Sequence, residues 1–488
     1  MSKTIYFLIT VGKGRLHGST CKGRGHSNFH KCSHMQRNWL KIWKTSLVIP
    51  IPKSGNSSDP GNYRPISLLP IVSKVLEVHV CYLLKDYVSI SDEQWGFQQG
   101  KSTTNAILSA TSTWFDYLES GFEVQAVLFD LQKAFDSVPH CLLIEKLHSI
   151  GIPTHLIRWI SNYLLDRTQM VGVDGKHSPP SRVVSGVPQG SVLGPLLFIL
   201  YIDGLTSLRL DGGSIVLFAD DQLLYRVIRR NQDFELVQKD IDNLESWLTR
   251  YKLLLNPRKC KSLLISRKRA VSCRPCFRVG SCLLERVSSY KYLGVVISSD
   301  LSWSEHVSGV TKKARKQIGL LYRRFYKSTP TETLKTLYTS LIRPHLEYAV
   351  PVWNPHLSKD IDSLESVQRF ATKICTKSWS DTSYLDRLRN LRLDTLQKRR
   401  ALINQCHLYK TVNGLCVFPN SPLTHSHNHG HATRSSSHSR SLTVPFAHSN
   451  SYYFSFFCDA PRTWNSLPSS VINSASLNIF KEGVANYL

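Results

Sequence analysis

Negative charge is scarce in this chain of 488 residues: 35 Asp plus Glu stand against 61 Lys plus Arg, a formal net charge of +26. An excess of that size calls for anionic counter-charge, and a phosphate backbone is the commonest match. The cations are spread along the chain rather than gathered in one tail, which suits a long groove better than a basic arm. Long apolar runs are missing as well. None approaches the roughly 18 residues that a membrane-crossing helix needs, and no long basic amphipathic anchor stands out. The apolar stretch from Ile5 to Val11 is short and lacks a small-residue cleavage site, so no signal peptide is expected. The expectation is an intracellular protein that is not secreted and has no membrane partner.

Regular cysteine spacing is absent too. Twelve cysteines are scattered without the pattern of a disulfide framework, which points to a reducing compartment. Cys21, His26, His30, Cys32 and His34 are ligand types at a spacing that fits no zinc finger, and Cys273, Cys276 and Cys282 lack a fourth ligand. The His-rich stretch from His425 to His438, set among Ser, Asn and Gly, reads as a flexible loop. Tandem repeats are not found. What is present is a hydrophobic fraction of 42% and an aromatic fraction of 10%, enough to bury cores in a chain long enough for two to four units.

The patterning divides the chain. Residues 1–42 are basic and weakly periodic and are expected to be poorly ordered. Ser46–Ile51 reads as a strand, Lys53–Pro65 as a polar loop, and Ser73–Tyr87 and Ser102–Glu119 as helices, with Ser102 as cap. Val124–Phe129 reads as a buried strand and His140–Ile150 and Thr154–Leu165 as helices. Residues 168–185 read as a hairpin and Leu193–Ile202 as a buried helix. Ser214–Phe218 and Leu223–Ile228 pair as a hairpin with Ala219–Gln222 at its tip, followed by a helix over Asp233–Tyr251 and a short edge strand at Leu263–Ser266. This alternation, with acids at strand ends, predicts an α+β palm-type sheet backed by helices. Beyond Asp300 the pattern is helical (Arg315–Tyr326, Glu332–Leu341, Ile361–Lys373, and one or two helices over Leu388–Tyr409). Residues 411–450 read as a linker, and the aromatic stretch Tyr452–Trp464 as a small docked piece.

Two acidic strand ends ninety residues apart carry the chemistry: Phe129-Asp130-Leu131-Gln132-Lys133-Ala134-Phe135-Asp136 and Phe218-Ala219-Asp220-Asp221. Adjacent aspartates after buried apolar runs repel each other at the edge of a low-dielectric sheet. A hard divalent cation removes that cost. If the two strands are neighbours, Asp130 and Asp220 face one point and can bridge a metal pair suited to an in-line phosphoryl displacement. Asp-Asp also occurs as plain turn chemistry, so the pairing with Asp130 and the basic charge decides between the two readings.

Phe218–Asp221 resembles the catalytic hairpin of reverse transcriptases, and Phe129–Asp136 their first metal-binding motif. Asn62-Tyr63-Arg64-Pro65-Ile66-Ser67 and the stretch from Ser185 to Pro195 (SGVPQGSVLGP) are close to the forms of non-LTR (LINE-type) retrotransposons, the jockey-like branch above all. Tyr290-Lys291-Tyr292-Leu293-Gly294-Val295 is similar to their primer-grip motif, and Trp464-Asn465-Ser466-Leu467-Pro468 looks like that branch's C-terminal region. The likeness runs from about Trp43 to the end. It implies a right-hand polymerase, with fingers and palm over 43–300, a helical thumb over 301–410, a linker over 411–450 and a C-terminal segment over 451–488. It implies RNA-directed DNA polymerase activity with Mg2+ (or Mn2+), acting with an RNA template, a DNA primer or target and dNTPs, in nucleus or cytoplasm as a ribonucleoprotein.

The resemblance also assigns roles. Asp130, Asp220 and Asp221 would be the catalytic, metal-binding carboxylates, with the Leu131 carbonyl as a further ligand. Phe135 would be the steric gate against a ribose 2′-OH, Gln189 and Gly190 the turn beside the incoming base pair, and Lys53, Arg64 and Lys259 cations near the triphosphate. Tyr292, Leu293 and Gly294 would form the primer grip, and Asp136 a structural partner of a backbone amide. Gln222 stands where relatives carry a small hydroxyl residue, and Gln98 where arginine is commoner. The forty-odd residues before Trp43 leave no room for an endonuclease domain, so the expectation is an N-terminally truncated element protein whose endonuclease comes from another chain. A catalytically inactive remnant that binds nucleic acid is the alternative.

Overall fold

The computed structural model describes residues 41–53, 58–208, 210–268, 275–379, 382–418, 422–425 and 440–488. Most of the expected N-terminal segment, the Cys21–His34 cluster, Cys273 and nearly all of the His425–His438 stretch lie outside the described residues. Cys276 and Cys282 are exposed free thiols. Fourteen strands run through the described residues. In chain order the first nine are β1 (Thr45–Pro52), β2 (Tyr63–Leu68), β3 (Glu123–Phe129), β4 (Arg167–Val173), β5 (Lys176–His177), β6 (Ser181–Val183), β7 (Gly213–Phe218), β8 (Asp221–Ile228) and β9 (Lys261–Ile265). Short strands follow: β10 (Arg278–Val279), β11 (Cys282–Leu283), β12 (Glu285–Arg286), β13 (Ser289–Tyr292) and β14 (Val295–Ser298).

The described residues form two compact units, one drawn from within 1–88 and 140–193, the other from within 89–139 and 194–488. In the first, β1 is central: it pairs antiparallel with β2 and parallel with β4, and β4 pairs antiparallel with β5 and β6. Lys53–Pro65 is therefore not wholly a loop, because Tyr63–Pro65 form the start of β2, opposite Pro52–Pro50. Burial alternates at the start of β1, where Ser46 and Val48 are covered, and Pro60 and Gly61 belong to the return turn. The expected helices appear here as Ile71–Leu84, His140–Ser149 and Thr154–Leu164.

The second unit is built on the sheet β12-β9-β3-β8-β7. All seven residues of β3 are buried and it is paired on both edges, antiparallel to β8 and β9. Its apolar run is that of a strand covered on both faces. Alternation sends Val124, Ala126 and Leu128 to one face, where they join Leu223, Tyr225 and Trp114 of the Thr103–Glu119 helix. Gln125, Val127 and Phe129 belong to the other face, as does Arg226 of β8, which meets the Asp233–Arg250 helix. The strand expected at the sheet edge, β9, is interior: its own backbone pairs with β3 and with the two-residue β12. Nothing in its own residues reveals β12, which pairs beyond it.

Helices then continue from Ser304 to Phe325, an earlier start than the periodicity suggested, through Thr331–Leu337 and Ser358–Thr376. Tyr384–Leu391 and Leu396–Val412 are two helices, parted where Arg392 takes a left-handed conformation. Trp464 and Phe480 near the C-terminus belong to the same core as Trp114. Within the stretch read as linker, Leu442 is buried in that core too, its backbone held by the Asn465 amide. No described helix is long and apolar enough to cross a membrane.

A buried ion pair fixes β8 against the Asp233–Arg250 helix. Arg226 donates through Nε and Nη2 to Asp240 Oδ2 at 2.9 and 2.6 Å, and through Nη1 to the Asp211 carbonyl at 2.6 Å. Replacing Asp240 by alanine leaves a guanidinium buried without its partner, which costs about 3–5 kcal/mol. Urea denaturation should show that loss for Asp240→Ala and a smaller one for Asp240→Asn, which keeps an acceptor.

Candidate active site

The ladder between β3 and β8 runs from Glu123↔Ile228 to Phe129↔Gln222. One residue further along both strands lie Asp130 and Asp221, and opposite positions of antiparallel strands are about 4.5–5.5 Å apart at Cα. The hairpin of β7 and β8 turns through only Ala219 and Asp220, since Phe218 pairs with Asp221. The tip is thus two residues, not the four expected, and Asp221 and Gln222 belong to β8 because their ladder with β7 stays closed. Three carboxylates are placed at one end of one sheet. Asp220 and Asp221 are exposed and Asp130 is half-buried.

The neighbourhood of Asp130 is bound to the loop before β9. The Asn256 amide donates to the Asp130 carbonyl at 2.8 Å, the Asp130 amide to Cys260 Sγ at 3.5 Å, and Leu131 bridges Leu255. The same loop brings Lys259, whose Nζ stands 3.6 Å from Asp130 Oδ2 with the lysine side chain 64% exposed. Tyr290 of β13 feels this group: burial first, then the charges of Asp221 and Asp130, push its hydroxyl up to about 12. Tyr292 is buried and raised well above the ordinary tyrosine value by burial and by Asp221. Its hydroxyl finds no hydrogen-bond partner, so of the expected primer grip only the turn at Leu293 and Gly294, with φ 45° and 92°, reaches the surface.

Exposed carboxylate oxygens are the donors that a hard divalent cation prefers, and the register brings three of them to one strand end. The chemistry of the set fits such an ion. As placed, the side chains have not closed on a common point: among the described residues no group of three or more His, Cys, Asp or Glu is arranged to hold a metal.

Phe135 lies just beyond the strand end, half-buried, with its ring stacked on Phe198 at 4.4 Å and 24°. That contact fixes the ring's plane. Lys53, Arg64, Gln189 and Gly190 belong to the first unit. Lys53 and Arg64 are exposed on the two arms of the β1–β2 turn, where the Lys53 amide donates to the Asn62 carbonyl at 2.7 Å. The Gln189 carbonyl accepts from the Ser67 amide at 2.7 Å. Gly190 has φ +106°, and a Cβ there would stand 2.6 Å from the Ser67 carbonyl oxygen, so this glycine is needed for a backbone approach inside the unit.

Two positioning residues escaped the sequence reading. Gln94, fully buried, accepts at Oε1 from the amides of Ala219 (3.0 Å) and Gly96 (2.9 Å). Ala219 has φ 55°, a left-handed conformation that costs alanine about 1 kcal/mol or more. Gln94 therefore holds the residue before Asp220 in a shape it would not adopt alone. Gly96 completes the clasp, because a Cβ there would lie 2.7 Å from the Ala219 nitrogen. The second is Tyr348, whose hydroxyl donates to the Leu293 carbonyl and accepts from Thr103 Oγ1, both at 2.8 Å. A glutamine two before a glycine was a faint signal for the first; the sequence around Tyr348 carried none.

The departure at Gln222 has a structural consequence. Its side chain is 1% exposed and neither amide atom finds a partner, a burial that costs about 1–3 kcal/mol. Gln98 donates to the Gln94 carbonyl and so supports the clasp.

Residues 51–297 match the family model described as reverse transcriptase (RNA-dependent DNA polymerase). The chain belongs to that family, whose members generally use divalent metal ions. Among curated relatives, it is 30% identical over 352 residues to the probable RNA-directed DNA polymerase from transposon BS of Drosophila melanogaster, covering 69% of this chain and 38% of the relative. To the RNA-directed DNA polymerase from mobile element jockey of the same species it is 27% identical over 343 residues, 65% of this chain and 36% of the relative. The non-LTR, jockey-like resemblance read from the motifs is thereby confirmed, and the chain spans little more than a third of these relatives' length. Solved structures with a likeness include telomerase from Candida tropicalis with a TWJ fragment of telomeric RNA (12% identity, TM-score 0.42, 81% of this chain and 63% of that one). Apo telomerase from the same organism gives 13% and 0.39, covering 85% and 70%.

Removing the Gln94 acceptor should free the hairpin tip. In Gln94→Ala, hydrogen exchange at the Ala219 amide is expected to accelerate about ten- to a hundredfold, the equivalent of one lost hydrogen bond to a buried acceptor. Amides at the centre of β3 should keep their protection, and uniform acceleration across the sheet would show that Gln94 merely supports the whole fold.

Proposed function

We propose that this chain is an RNA-directed DNA polymerase of retrotransposon origin, adding dNTPs to a DNA 3′ end on an RNA template by target-primed synthesis. The observation that carries it is the adjacency of Asp130 with Asp220 and Asp221 at the end of a ladder whose register ties them together. The three carboxylates would hold Mg2+ (or Mn2+), with the Leu131 carbonyl as a further oxygen ligand. When bound, the ions lower the cost of charge on attacking and leaving oxygens in an in-line displacement.

This chain's own residues do the rest. Lys259, on Asp130 in the absence of substrate, exchanges that carboxylate for a triphosphate oxygen, as a flexible point charge can. Phe135, clamped on Phe198, blocks the space a ribose 2′-OH would need. The turn at Leu293 and Gly294, tied to Tyr348, supports the primer end. Lys53 and Arg64 are proposed as triphosphate cations, and Gln189 and Gly190 as the turn beside the base pair. An endonuclease would act from another chain, and the polymerase would work inside the cell, in nucleus or cytoplasm, as a ribonucleoprotein.

Primer extension on an RNA template decides the assignment. With Mg2+ the chain should extend the primer, EDTA should abolish extension, and Asp220→Ala should lower it by about three orders of magnitude, several kcal/mol of charge stabilisation. Equal incorporation by Asp220→Ala and the unaltered chain rules the site out. Salt-dependent RNA binding without incorporation under any metal condition favours the inactive remnant. Nucleotide choice tests the gate separately. Phe135→Val should raise the use of rNTPs relative to dNTPs about tenfold or more while leaving dNTP incorporation within a few-fold, an effect of steric exclusion on the size of one lost contact.

A further inference from the structure

The helical part of the second unit carries an aromatic cluster that no catalytic role uses. Tyr322 and Tyr326 lie one turn apart at the end of the Ser304–Phe325 helix, with ring centroids 4.7 Å apart. Trp379, just after the Ser358–Thr376 helix, packs edge-on against Tyr322 at 5.9 Å, Tyr326 at 6.2 Å and Phe370 at 6.0 Å. Its indole Nε1 donates to the Tyr326 hydroxyl at 2.7 Å, which fixes the orientation of the ring. Despite that order the rings stay open to solvent: Tyr322 is 39%, Phe370 40% and Trp379 43% exposed. Tyr326 is half-buried against the core, but three ordered rings left at the surface add little to a monomer, and such patches mark binding sites.

The charge around them says what for. From His306 to Thr331 the sequence has seven Lys or Arg and no Asp or Glu. All seven are exposed, and Arg323 and Arg324 directly follow Tyr322 in the chain. A protein partner's hot spot is depleted of charge at its centre, whereas fixed rings on a helical stretch whose charges are all positive match a ligand that is both planar and strongly anionic. Unpaired nucleotides meet both demands, because stacking needs a free base face that a closed duplex hides.

We infer that Tyr322, Tyr326, Phe370 and Trp379, with Arg323 and Arg324, form a binding site for a single-stranded segment of RNA or DNA, distinct from the carboxylate end of the sheet. The rings take the bases and the arginines the phosphates. No residue is shared with the carboxylate hairpin, so the site stands whether or not the chain polymerises.

Anisotropy of labelled 15-mers, with the full chain in EDTA so that no synthesis intervenes, tests it. The Tyr322→Ala/Trp379→Ala variant should bind U15 and dT15 about tenfold or more weakly, the loss of one or two stacked bases. A blunt 15-base-pair duplex should bind unchanged, and Tyr322→Phe/Trp379→Phe should restore most of the single-strand affinity. Arg323→Gln/Arg324→Gln should flatten the salt dependence by about 1.4 in slope, the share of two phosphate contacts on a single strand. The ratio of U15 to dT15 affinity shows which single strand is preferred. Ultraviolet cross-linking with peptide mapping should place U15 on the tryptic peptides holding Tyr322 or Trp379. Unchanged single-strand binding, an equal loss on the duplex, or cross-links confined elsewhere overturns the site.

Discussion

The position of the carboxylates depends on one strand that cannot slip. β3 is buried along all seven residues and hydrogen-bonded on both edges, so its register against β8 is set by core packing on two faces at once. A shift by one residue would send Val124, Ala126 and Leu128 to the face of the Arg226–Asp240 pair and bring Gln125 into the apolar cluster with Trp114. The acid that follows Phe129 is consequently fixed beside Asp221 by apolar packing far larger than the repulsion between two carboxylates at a solvated strand end. The fold imposes a repulsion that a divalent cation would relieve.

That ordering of energies explains the surroundings of the acids. Lys259 is close enough to Asp130 to soften the charge, yet it is mostly exposed and joined by a single long contact, so it can leave at little cost. Tyr290 and Tyr292 close one side of the group without donating a positive charge, and their hydroxyls are held neutral far above ordinary pH by burial and by the acids themselves. An arginine there would have neutralised the carboxylates permanently. The enclosure of neutral hydroxyls and one loosely held ammonium keeps them available for a divalent partner.

Much of this was legible in the sequence because buried strands and amphipathic helices write themselves as periodic patterns. Val124–Phe129, Leu193–Ile202 and Asp233–Arg250 fall within one residue of the expected elements, and Ser102 caps its helix through Oγ on the Asn105 amide as its residue type suggests. The acids at 130, 220 and 221 stood out since nothing apolar explains them. The failures share a cause. β9 looked like an edge because only its own residues were visible, not the two-residue β12 that pairs beyond it. The hairpin tip was drawn too long because Asp221 and Gln222 are polar, although Gln222 is buried. Tyr63–Pro65 were read as a loop for their proline and neighbours, while pairing with β1 made them strand. In each case a long-range contact overrode local composition.

Gln94 and Tyr348 lay beyond reach for the same reason, and together they disclose how the site is tied. Gln94 clasps the tip of the hairpin that carries Asp220 and Asp221, and nine residues later Thr103 opens a helix and hydrogen-bonds Tyr348, which in turn holds the turn at Leu293. Between them Lys101 is drawn inward, its ammonium bound to the carbonyls of Ser91, Asp92 and Gln94 and poised over the Trp95 ring. Burial lowers its affinity for a proton, a loss that Asp92, Glu93 and Asp203 offset only in part. One stretch of ten residues thus holds the tip that carries Asp220 directly, through Gln94, and the turn at Leu293 indirectly, through Tyr348. Since neither hairpin is anchored by its own sequence (Ala219 and Leu293 both take left-handed conformations), the geometry between them is set by that shared strap. A change within it would alter the relation between the two hairpins without touching either.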